Sequence, residues 1–243
     1  MESQFINTLV YGLLAAIATF VGIYMVVAKE EWALKKSVFF IGFSAGVVLA
    51  VAFIHLMPEA MESNVSAPAV VLLAILAFYI LEHMLAIHSC KEGHCEVHPM
   101  GMLAFVGIAF HSLLDGIVIG VGFEAGFTVG LASSLAVLMH EIPEGIAVTA
   151  LLLHAGYKKN TALMLAGVVA IATPIGALGS YQFVSGADTS TIGFLLAIAA
   201  GSFIYIGASD LLPETHKHSR RLNIFLVLGG ALLVYLISML FPG

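Results

Sequence analysis

Charge is what this 243-residue sequence has least of. Only 10% of its residues are charged, 60% are apolar, and the mean hydropathy is +1.06. A soluble domain carries roughly 25% charged residues. A polar shell for a 25.6 kDa globule cannot be built from nine basic and fifteen acidic side chains. The formal charge of -6 argues against nucleic acid as a partner. Cysteine is nearly absent too. Cys90 and Cys95 are the only two, which excludes a secreted disulfide scaffold. A soluble enzyme, a nucleic-acid reader and a disulfide-stapled domain are therefore all set aside.

What the chain does have is long apolar runs. Eight lie at about 5–28, 36–60, 67–88, 99–122, 128–154, 160–184, 190–213 and 222–241. Each is long enough for a helix across a hydrocarbon core of about 30 Å. The expected fold is an all-α polytopic membrane protein, with residues 1–243 forming a single transmembrane domain in a lipid bilayer. The first run is too long for a signal peptide, and no Lys or Arg precedes it.

Basic residues are missing from one side of this arrangement. Lys29, Lys35, Lys36, Lys91, Lys158, Lys159, Lys217, Arg220 and Arg221 all fall in alternate connections. The other connections hold Glu62, Glu124 and Asp188 and no basic residue. The positive-inside rule places the basic connections in the cytoplasm and both termini outside the cell membrane.

His55-Leu-Met-Pro-Glu59 ends the second run and Asp210-Leu-Leu-Pro-Glu214 ends the seventh. Like motifs on oppositely directed helices suggest a 3+2+3 arrangement, with helices 1–3 and 6–8 an inverted repeat around helices 4 and 5. The plainer alternative is coincidence. Glycine pairs Gly42/Gly46, Gly116/Gly120 and Gly126/Gly130 are spaced for close helix packing.

Ionisable groups at membrane depth are costly and need a purpose. Helix 4 carries His111-Ser112-Leu-Leu-Asp115-Gly116, and helix 5 carries His140-Glu141-Ile-Pro-Glu144-Gly145. His111 and Asp115 are i, i+4, as are His140 and Glu144, so each pair shares a face. Antiparallel neighbours joined through 123–127 would bring these faces together. Two imidazoles and two carboxylates suit a borderline divalent ion such as Zn²⁺. Three carboxylates, with Glu141, would repel one another without a cation. Pro143 removes an N–H and frees the carbonyl of Met139, which could line a cavity or bind an ion. The alternative is a polar network that only holds helices together.

Further polar groups lie toward both membrane faces: His55 and Glu59 on helix 2, Glu82 and His83 on helix 3, and Asp210 and Glu214 on helix 7. Together they would line a pathway. The 3–4 connection holds His88, Cys90, His94, Cys95 and His98, a possible cytoplasmic metal-binding segment without zinc-finger spacing.

The paired HSLLDG and HEIPEG motifs resemble the ZIP family of metal transporters, in its bacterial and archaeal form. The resemblance implies uptake of Zn²⁺, or of Fe²⁺, Mn²⁺, Co²⁺ or Cd²⁺, as bound substrate, with no prosthetic group and a homodimeric assembly. It implies a primary site of His111, Asp115, His140 and Glu144. Many family members have Asn where this chain has Ser112, and bacterial members often have Glu where it has Thr173. In two-metal members both positions serve a second, adjacent metal, so the resemblance implies one tightly bound ion here, with Glu141 free or weakly involved. An intramembrane zinc-dependent hydrolase is the rival, since His140-Glu-Ile-Pro-Glu144 is one His short of HExxH.

Overall fold

The computed structural model describes residues 2–87, 97–216 and 221–240, and these are helical with no strand among them. We number eight helices. They are α1 (Ser3–Ala33), α2 (Val38–Ser63), α3 (Ala67–Ile87), α4 (Val97–Ala125), α5 (Phe127–His154), α6 (Lys159–Val184), α7 (Thr189–Thr215) and α8 (Arg221–Leu240). Seven are long and apolar enough to cross a membrane. The apolar part of α3, Ala67–Leu81, falls short of that length among the described residues.

Two boundaries differ from the sequence reading. Helical backbone runs from Glu2 to Val51 and is broken at Lys29 (φ −154°, ψ 75°), so the first connection is a kink in helix rather than a loop. α4 likewise runs on to Ala125, leaving Gly126 alone between α4 and α5 in place of a 123–127 loop.

α2 and α7 depart from α-helical geometry at matching places. Ala52–Leu56 and Ile206–Leu211 are π-turns. Met57 N–H donates to the Ala52 carbonyl and Leu212 N–H to that of Gly207, each five residues back. Pro58 and Pro213 follow immediately. Each lacks the N–H that an α-helix would use there, and the widened turn absorbs the mismatch. The two motifs singled out in the sequence thus share a backbone irregularity in the same register.

Packing sorts the helices into two groups. α1 lies on α5 and α6, and α4 lies on α5 and α6. α2 lies on α7 and α8, and α3 on α7. Small residues permit the closest approaches. A side chain at Gly116 would meet the Thr173 carbonyl of α6, and one at Gly46 the Val227 carbonyl of α8. Gly120 faces Ser180, and Gly130 faces the Phe123 ring. Gly42 makes only ordinary contacts and Gly126 none, so those two do not serve packing. At the far end of the chain's third polar connection, Asp188 caps α7. Its carboxylate accepts from Thr191 N–H and Oγ1, both at 2.9 Å, and these bonds hold its carboxyl below the usual carboxylate range.

Candidate metal centre

The α4 and α5 faces predicted to meet do meet. His111 Nε2 lies 3.2 Å from Asp115 Oδ2 and 3.6 Å from Glu144 Oε2, and His140 Nε2 lies 3.1 Å from the same Asp115 oxygen. One ligand atom from each of these four residues falls within 4.8 Å of the other three. The two imidazoles are near parallel, with centroids 5.5 Å apart. Asp115 and His140 are buried, while His111 and Glu144 are partly exposed. Helical spacing explains the convergence. Each pair is one turn apart on its own helix, and the single-residue link at Gly126 holds the helices antiparallel.

The tautomer of His140 is set by its second ring nitrogen. Nδ1 lies 2.9 Å from the Ala136 carbonyl, which can only accept, so Nδ1 carries the hydrogen. In the neutral ring Nε2 then directs a lone pair at the Asp115 carboxylate. Two lone pairs cannot face each other at 3.1 Å without a proton or a cation between them. This is the ligand orientation expected of a metal-binding imidazole.

Glu141 is not part of the quartet. It is fully buried, but its oxygens turn to hydroxyls on two other helices. Thr173 Oγ1 on α6 donates to Oε1 at 2.7 Å, and Thr19 Oγ1 on α1 donates to Oε2. Ser112 Oγ likewise donates to Glu144 Oε1, with the Ile108 carbonyl, 3.1 Å away, as the alternative acceptor for its one hydrogen. The hydroxyls at positions 112 and 173 are therefore engaged with the two helix 5 glutamates.

The carbonyl of Met139, freed by Pro143, does not line an ion cavity as the sequence suggested. Ser44 Oγ on α2 donates to it. Thr19, Ser44 and the Phe203 ring, which meets His140 edge-on at 6.3 Å, were not singled out by sequence. Each is a small hydroxyl or an aromatic ring within an apolar run, and nothing local marks it.

Among the described residues, no other predicted residue joins the quartet. His55 is buried within the α2 π-turn, and its Nε2 has no hydrogen-bond partner among the described residues. Glu59 is half-buried one turn further on. His83 is exposed and stacks on Tyr79, with centroids 5.1 Å apart. Asp210 is exposed and Glu214 half-buried, near the C-terminal end of α7. His88, Cys90, His94 and Cys95 lie outside the described residues, as do the side chains of Glu82 and His98.

Residues 88–238, more than half of the chain, match the family described as ZIP Zinc transporter. The chain belongs to the ZIP zinc transporter family. ZIP members are transporters and not enzymes, which sets the hydrolase reading aside. Similar proteins include zinc transporter zipt-7.2 of Caenorhabditis elegans, 36% identical over 53% of this chain and 29% of that protein. Zinc transporter ZIP4 of Rattus norvegicus is 32% identical over 59% of this chain and 23% of its own length. Zinc transporter SLC39A7 of Homo sapiens is 30% identical over 59% and 33% respectively. The matched part of this ZIP chain thus spans a third or less of each relative.

Proposed function

We propose that this ZIP protein carries a divalent cation, Zn²⁺ foremost, into the cytoplasm through a midplane site on α4 and α5, as one transporter domain. The observation that carries the reading is the convergence of His111, Asp115, His140 and Glu144 on one point between two helices long and apolar enough to cross a membrane. Such a set is costly in hydrocarbon unless a cation sits among them. That similar proteins are zinc transporters supports the choice of metal.

One ion occupies the site in this reading. Glu141, Thr19 and Thr173 satisfy one another, so the neighbouring position offers no free ligand set. Metal arrives past Glu59 and His55 and leaves past Asp210 and Glu214, with Glu82, His83 and the 88–98 segment on the cytoplasmic side. Both termini face out of the cell membrane, because all nine basic residues lie in alternate connections. The shared π-turns support the inverted-repeat arrangement. Two copies form the working unit, as the family resemblance implies.

Uptake of Zn²⁺ into proteoliposomes tests the proposal. The wild-type chain is expected to accumulate Zn²⁺ inside, and His140→Ala and Asp115→Ala to abolish uptake. Uptake that survives both substitutions would overturn the site.

A further inference from the structure

The hydrogen bond between Ser44 and Met139 joins the two helix groups beside the quartet. α2 packs on α7 and α8, as Gly46 against Val227 and Leu49 against Gly207 illustrate, and its π-turn also touches α5. From the fully buried Ser44, however, the hydroxyl reaches the α5 backbone at the carbonyl of Met139. In an unbroken helix that carbonyl would accept from the N–H of residue 143. Residue 143 is proline and has none. The carbonyl oxygen of Met139 and the amide nitrogen of His140 belong to one planar peptide unit. Whatever holds that oxygen therefore fixes the direction in which the His140 side chain leaves the backbone.

We propose that Ser44 is a positioning residue for the metal site: its hydroxyl replaces the amide that Pro143 lacks and holds the Met139–His140 peptide so that the His140 ring points into the quartet. The inference rests on the reading of His111, Asp115, His140 and Glu144 as the metal ligands. It adds a fifth helix position that never touches the ion. It also accounts for a proline at membrane depth that opens no gap, because the helix defect is filled from α2.

A double-mutant cycle tests it, read by Zn²⁺ titration of the purified, monodisperse chain and by the split between KM and Vmax in proteoliposomes. Ser44→Ala is expected to weaken Zn²⁺ binding by about tenfold, the scale of lost ligand-orienting contacts. In the Pro143→Ala background the new amide supplies the missing donor, and Ser44→Ala is expected to change binding by roughly twofold or less. An equal loss in both backgrounds, or no loss in the first, overturns the proposal. Should Ser44→Ala fail to fold, the near-isosteric pair Ser44→Thr and Ser44→Val carries the same test. The threonine retains the donor and is expected to retain affinity, the valine is expected to lose it, and equal behaviour overturns the proposal. His140→Ala serves as the reference. If it leaves Zn²⁺ binding intact, the ligand assignment fails whatever Ser44 does. If it removes binding while the cycle shows no coupling, only the role of Ser44 fails.

Discussion

Two hydroxyls near the site hold two glutamates with different consequences. Ser112 donates to Glu144, which is in the quartet, and Thr173 donates to Glu141, which is not. Ser112→Ala is expected to lower Zn²⁺ affinity by about tenfold, since it releases an oriented ligand. Thr173→Val keeps the shape but leaves a buried carboxylate oxygen short of a donor. It should cost about 1–3 kcal/mol of stability and change affinity little. Thermal unfolding in detergent and Zn²⁺ titration of both variants separate the two outcomes, and a large affinity loss in Thr173→Val would place Glu141 among the ligands. At this scale the sequence disclosed the quartet and hid the residues around it. His111, Asp115, His140 and Glu144 are conspicuous because polar groups one turn apart stand out in apolar runs. Ser44 and Thr19 are inconspicuous because their partners lie 95 and 122 residues away, and a lone hydroxyl in a membrane helix can bond its own backbone.

Among the helices, the length of an apolar run was a good guide to existence and a poor one to ends. All eight runs became helices, yet helical backbone passes into α2 beyond a break at Lys29 within α1, and α4 and α5 are separated by a single residue. Hydropathy falls at Lys29 and near Gly126, but backbone hydrogen bonding continues past both, since interfacial residues remain good helix formers. The π-turns were equally hidden. Pro58 and Pro213 foretold an irregularity but not its kind. Spacing of glycines proved a weaker guide than their surroundings. Gly116→Ala would push a methyl into the Thr173 carbonyl and is expected to cost about 1–3 kcal/mol and disturb the α4–α6 contact. Gly179→Ala on α6 meets nothing within 4 Å and is expected to be neutral or stabilising. Unfolding midpoints of the two variants in detergent check the contrast, and equal midpoints would contradict the packing described for α4 on α6.

For the molecule as a whole, charge and pH govern the proposed transport. A divalent ion moving to an inside-negative compartment gains about 4–5 kcal/mol per 100 mV, from roughly 2.3 per charge. An imposed potassium diffusion potential, negative inside, is expected to raise initial uptake, and a reversed potential to lower it. Protons compete with the metal for the lone pairs of the His111 and His140 nitrogens. The apparent KM for Zn²⁺ is therefore expected to rise as the pH falls from about 7.5 to about 5.5, with uptake recovering at high metal concentration. Loss of the fold would not show this recovery. The α7 cap at Asp188 is not the cause of such a loss, since its lowered carboxyl stays ionised over that range. Its contribution is present above the usual carboxylate range and is lost only as the pH falls through its depressed value.

The one-residue junction at Gly126 has a consequence for release. Phe123 fills the space before Gly130, and the two helix ends are locked side by side. On the proposed function, the tie at Gly126 resists drawing the two halves of the quartet apart, so an ion would meet much the same coordination on arrival and on departure. Discharge then depends on what waits on the far side: water, competing protons or a stronger chelator.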